Sequence, residues 1–172
     1  TLTIEAGVTI RFPSGAPSNV WGLDLGASNG DLPENIWPVR LIAKGTEDAH
    51  IVFTSAEDQP APGDWAGIEW HGGPPDGNVM RFVDVEYAGG DSGTVGFGCG
   101  DSDNDAALII RNWRPDDAFI VDSTFSDSAG GGNVSGWLTH EEGPDFTNNT
   151  FAGIGNGCDG SRWKDANNWC PG

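Results

Sequence analysis

Three short runs constrain the fold of this chain more than any other feature: Ile51-Val-Phe-Thr-Ser, Gly67-Ile-Glu-Trp and Val83-Asp-Val-Glu-Tyr. In each, apolar residues alternate with outward candidates at period two, the pattern of a strand with one buried face. Their bulky members Phe53, Trp70 and Tyr87 recur at intervals of 17. A fixed recurrence of strand-forming units predicts stacked strands, with these three rings forming one aromatic column.

Punctuation leaves little room for helix. No stretch of ten residues holds the i, i+3, i+4, i+7 apolar spacing without a Gly or Pro, and many of the 27 Gly and 11 Pro residues fall between short Val/Ile/Phe/Trp runs. The class is therefore all-β. A length of 172 residues suits one domain with a substantial core. Thr1-Leu-Thr-Ile-Glu opens in mid-strand, which predicts that residues 1–172 are one domain cut from a longer chain.

Along the chain, Leu2/Ile4 and Val8/Ile10/Phe12 form two strands hinged at Ala6-Gly7. Residues 13–38 lapse into Pro, Ser, Gly and Asn, an expected excursion from the main body in which Trp21 and Trp37 anchor a small satellite core. Val39 to Ser55 restores strand, turn and strand, with Gly45-Thr46-Glu47-Asp48 as the turn. Ile68 and Trp70 point inward, Glu69 outward. A parity break between Phe82 and Val83 marks a bend or bulge. A second excursion covers 89–105. Beyond it, Phe119, Val121 and Phe125 alternate inward, and Asp122-Ser-Thr-Phe125 aligns with Asn148-Asn-Thr-Phe151 at a spacing of 26. Asn149 suits a corner, where Asn tolerates left-handed backbone and its amide bonds to neighbouring main chain.

The phrases LTIEAGVTIRF, LIAKGTEDAHIVFTSAEDQPAPGDWAGIEW and VMRFVDVEYAGG resemble those of bacterial right-handed parallel β-helix repeat proteins, a secreted and often lipid-anchored group. The resemblance covers roughly residues 1–155, with departures at 13–38 and 91–105. It implies a single-stranded right-handed parallel β-helix of about six turns, on the extracellular side or the bacterial cell surface. Each turn of such a solenoid buries its apolar face only against the next. An antiparallel sandwich is the competing all-β architecture, and it wants hairpin turns of two to five residues. Linkers such as Ala56 to Asp64 are longer and irregular.

Charge narrows the partners. The net charge of −18 comes from 26 acids against 8 Lys and Arg, which opposes binding to a phosphate backbone. Self-repulsion of this size keeps a surface solvated, as in salt-adapted or secreted proteins. No run of 18 apolar residues occurs, so a helix spanning a membrane is not expected within these residues. Cys158 and Cys170 bracket a short loop whose disulfide would contribute about 3 kcal/mol, stapling a C-terminal cap at 156–172 and leaving Cys99 free, buried or paired with another chain. A Cys-based metal site lacks Cys-x-x-Cys and a suitably spaced His.

Motifs for chemistry are few. The P-loop and HExxH are absent, and nothing in sequence couples any Ser or Cys to a His. Asp101-x-Asp103-x-Asp105 starts like a calcium loop, but Ala106 and Asn112 stand where an EF-hand needs Gly and Glu. An irregular calcium site on these three carboxylates competes with a solvated acidic loop. Trp21, Trp37, Trp113 and Trp137 are candidates for stacking on sugar rings. The sequence thus supports a non-catalytic module, structural or adhesive, whose partner is a carbohydrate or another surface protein. The alternative is a calcium-dependent polysaccharide lyase or glycoside hydrolase. A lyase would cast Asp116 and Asp117 as calcium-binding carboxylates and Arg111 or Arg114 as the basic residue that removes a proton, although an acidic polysaccharide would meet net repulsion.

Overall fold

The computed structural model describes residues 1–15, 22–28, 36–37, 39–70, 75–93, 105–112, 117–129, 131–137 and 148–153. Among them are fifteen strands and no helix. The chain lays down β1 (Leu2–Ile4), β2 (Thr9–Phe12) and β3 (Leu23–Leu25), then a small pair, β4 (Ala27–Ser28) and β5 (Ile36–Trp37). There follow β6 (Leu41–Lys44), β7 (Ile51–Ser55), β8 (Ile68–Trp70), β9 (Val79–Arg81), β10 (Val83–Glu86) and β11 (Ala106–Asn112). The last strands are β12 (Ile120–Val121), β13 (Thr124–Ser126), β14 (Gly131–Trp137) and β15 (Thr150–Ala152).

These strands sort into three parallel sheets: β1-β6-β9-β12, β2-β7-β10-β13-β15 and β3-β8-β11-β14. The chain visits the first, second and third sheets in that order four times, then contributes β15 to the second. Only the β4–β5 pair is antiparallel. A hairpin sandwich is therefore excluded for the described strands. Neighbouring circuits differ in length: bonds between them link Arg11 to Ser55, 44 residues on, Val83 to Ser123, 40 on, and Ser123 to Asn149, 26 on.

Register explains the core. In the second sheet Ile10, Phe53, Val85, Phe125 and Phe151 lie side by side across five strands. The first sheet lines up Ile4, Ala43, Met80 and Ile120. The third aligns Leu25, Trp70 and Ile110. All three columns feed one apolar cluster. Because strand side chains alternate, a slip of one residue would turn a whole column outward. Phe125 and Phe151 stack at 5.2 Å. Phe12 lies flat on buried Trp65 at 4.2 Å, and Trp65 Nε1 donates to the Glu86 carbonyl at 2.7 Å, so one indole ties three circuits together.

Corners repeat around three strands of the second sheet, β10, β13 and β15. Phe82, Asp122 and Asn148 occupy equivalent positions ahead of β10, β13 and β15, with φ of 51°, 51° and 61°. Tyr87, Asp127 and Gly153 follow the same three strands with φ of 59°, 50° and 63°. Left-handed backbone at both ends swings the chain from one sheet to the next. Under the first corner, Asn149 Oδ1 accepts from Ser123 N at 3.1 Å and its Nδ2 donates to the Ile120 carbonyl at 2.9 Å. Ser123 Oγ in turn accepts from Val83 N at 3.2 Å.

The structure departs from the sequence reading at definite points. Phe53, Trp70 and Tyr87 do not form a column: Phe53 is in the second sheet, Trp70 in the third and Tyr87 at a corner. An interval of 17 is a step along one circuit, and the ladder partners of Phe53 are Ile10 and Val85. The segment 13–38 does not leave the body entirely, since β3 within it pairs with β8 and buries Leu25. Ile120, not Val121, faces inward, opposite Met80. Glu69 points away from the core, as its parity requires, yet is only 6% exposed. Asn148, not Asn149, holds the left-handed conformation, while Asn149 makes the main-chain bonds. The parity break at Phe82 is the corner itself. Cys99, Cys158 and Cys170, and the cap at 156–172, lie outside the described residues.

Two substitutions separate column from corner. Phe53→Ala should lower stability by about 3–5 kcal/mol through lost burial and a cavity, and Asn149→Ala by about 1–3 kcal/mol through unpaired buried main chain. Denaturant unfolding midpoints at unchanged slope check both.

Candidate functional site

The outward face of β10 carries two carboxylates, each bonded to the preceding circuit. Alternation sends Val83 and Val85 into the core and Asp84 and Glu86 outward, about 6.6 Å apart along the strand. His50, just ahead of β7, places Nδ1 3.0 Å from both oxygens of Asp84. Thr54 Oγ1 donates to Glu86 Oε2 at 3.0 Å. Each carboxylate on this strand is thus engaged by the circuit before it.

Phe82 stands at one end of the strand and Tyr87 at the other. Both are half-buried, and both hold left-handed backbone. For a bulky side chain that conformation costs roughly 1–2 kcal/mol, whereas Asp and Asn visit it far more readily. Asp122, Asn148 and Asp127 fill equivalent corners in later circuits with residues suited to them. Phe82 is also absent from the apolar core and from the partly buried side chains packed on it. Its ring sits 5.7 Å from that of His50, tilted by 40°, with the Arg81 guanidinium 5.0 Å from its centroid. Tyr87 has no side-chain hydrogen-bond partner among the described residues.

Arg81 extends the array towards the later circuits. Its Nε donates to Asp122 Oδ2 at 2.9 Å, and Asn148 Nδ2 donates to Asp122 Oδ1 at 3.2 Å. With 47% of the Arg81 side chain and 24% of Asp122 exposed, this pair is worth only about 0–1 kcal/mol. Its contribution is orientation more than stability. Lys44 is the ladder neighbour of Arg81, so two cations lie directly opposite on one face, an arrangement that costs energy on its own. The result is a strip of alternating donors, acceptors and aromatic rings crossing several circuits.

Residues singled out in the sequence fall elsewhere. Asp105 is occupied by Ser92, whose N and Oγ donate to its Oδ1 at 2.8 and 2.9 Å, closing the base of the second excursion. Asp101 and Asp103 lie outside the described residues, as do Trp21, Trp113, Arg114, Asp116, Cys158 and Cys170. Trp37 and Trp137 contribute backbone to β5 and β14, and Arg111 to β11, but their side chains are outside the described set. Asp117 is exposed. Among the described residues no three His, Cys, Asp or Glu side chains are placed to hold a metal ion, and no helix is long and apolar enough to cross a membrane. Phe82 and Tyr87 were not singled out as contact residues, because a φ angle leaves no mark in sequence. The local signal was the parity break at Phe82.

No protein-family model, curated protein or solved structure matches the chain.

One exposed carboxylate departs from its ordinary titration. Glu57 is held low by hydrogen bonds from the Ser14 hydroxyl, 2.7 Å, and from the Ser14 amide, 3.1 Å. A depressed folded-state value stabilises above the ordinary carboxylate range, and that stabilisation is lost as pH falls through the depressed value. Ser14→Ala should raise the Glu57 midpoint, read by carboxyl NMR titration, and flatten the acid limb of the Tm profile.

Proposed function

We propose that the cyclic order of strands is a right-handed parallel β-helix, and that the chain is a non-catalytic extracellular or cell-surface module with a structural or adhesive role. The observation supporting it most is where the outward polar groups spend their hydrogen bonds. His50 with Asp84, Thr54 with Glu86, Arg81 with Asp122, and Asn148 with Asp122 each join successive circuits. Such bonds tie each circuit to the next on its outer side. Solenoids present extended faces to partners, and the −18 charge fits a solvated, exposed location. The partner class is a carbohydrate or another surface protein, with calcium a candidate ligand of Asp101, Asp103 and Asp105.

Purified protein incubated with polygalacturonate and with neutral polysaccharides, each with calcium and with chelator, should release no reducing ends and no unsaturated product. Calcium-dependent product release would overturn this reading in favour of a polysaccharide lyase or hydrolase.

A further inference from the structure

We infer that the outward face of β10, bracketed by Phe82 and Tyr87, is a binding subsite for a neutral polysaccharide; this rests on the proposed role as a binding module. Two aromatic residues occupy the corners of one strand, at positions whose equivalents in later circuits are filled by Asp122, Asn148, Asp127 and Gly153. Phe82 gains no core burial in return. Rings kept half-exposed at strained positions are explained when they contact something beyond the chain. Between them Asp84 and Glu86 project from the same face, with His50, Arg81 and Asn148 alongside.

That inventory matches a sugar better than other partners. A pyranose offers apolar C–H faces to aromatic rings and hydroxyls that donate and accept at close spacing. Carboxylate oxygens accept its hydroxyl protons in charge-assisted bonds. Arg81, Asn148 and the Tyr87 hydroxyl supply donors. An acidic glycan would place its carboxylates against Asp84, Glu86 and a net charge of −18. A basic peptide would meet the like charges of Arg81 and Lys44, while Asp84 and Glu86 are already hydrogen-bonded to His50 and Thr54. The site follows one corner position from His50 through Phe82 and Asp122 to Asn148 and extends along β10 past Asp84 and Glu86 to Tyr87, room enough for several sugar rings.

The corner geometry also supplies the test. Phe82→Asn and Tyr87→Asn place a residue that tolerates left-handed backbone where an aromatic stands, so each should fold with Tm unchanged or raised by roughly 2–4 °C. Binding to cellohexaose, mannohexaose, xylohexaose, hexagalacturonate and a deca-arginine peptide is measured by calorimetry on the whole chain. At least one neutral hexasaccharide should bind the parent, about tenfold more weakly to either variant and to Glu86→Gln, whose shape is conserved. The inference is overturned if no neutral hexasaccharide binds. It also falls if hexagalacturonate or the peptide binds and they do not, if the variants bind as the parent does, or if both corner variants lose Tm, which would make the rings structural. Neutral glycan binding that survives Phe82→Asn and Tyr87→Asn would leave the module reading in place and remove this subsite. Product release would remove the module reading itself.

Discussion

Parallel register between successive circuits is the constraint on which everything else in this molecule depends. A circuit of three short strands cannot enclose its own apolar side chains; it can only hold them against the circuits before and after. The column Ile10, Phe53, Val85, Phe125 and Phe151 is the result. Burial of one such side chain contributes about 1.5–3 kcal/mol, and a register slip of one residue would lose the whole column at once. Circuit length, by contrast, is free to vary. Separations of 44 residues early and 26 late leave the column intact because extra residues go into loops, whose closure entropy grows only slowly with length.

Corners convert that constraint into a backbone requirement. Around β10, β13 and β15 the corner residues on both sides adopt positive φ, which turns the chain from one sheet to the next. Residues that fit this cheaply are used at Asp122, Asn148, Asp127 and Gly153. On β10 both corners are taken by aromatics. Local preference and global fold agree through the later circuits and conflict on the one strand that also carries outward Asp84 and Glu86. Conflicts of this kind concentrate where a protein does something other than fold.

Much of the strand content was legible because period-two alternation survives wherever one face is buried, as in Ile51-Val-Phe-Thr-Ser and Val83-Asp-Val-Glu. The match of Asp122-Ser-Thr-Phe125 to Asn148-Asn-Thr-Phe151 gave true ladder partners, since both segments include the corner as well as the strand. The 17-residue recurrence misled for the opposite reason: it compares strands alone, and neighbouring strands of one circuit look alike though they belong to different sheets. Leu23-Asp-Leu25 was lost among Gly, Ser and Asn because three residues are too few to show a period. The strip around Phe82 could not be found at all from spacing. It is assembled from His50, Arg81, Asp122 and Asn148, which the stacking brings together from four circuits.

Acidity and stacking act on different parts of the energy. The exposed ion pairs between circuits are each worth about a kcal/mol or less, and salt at physiological strength screens them beyond roughly 8 Å. Salt equally screens the self-repulsion of a −18 chain, which opposes compaction. The inward columns are insensitive to either effect. Stability thus resides in the aromatic and aliphatic ladder, while the outward positions of each strand are left open to change. A Thr, Asp or Arg can be exchanged on the outer face without disturbing register, provided the corners on either side keep their left-handed turn. That division lets one circuit carry aromatic rings and carboxylates on its surface while its inward residues continue the same column as their neighbours.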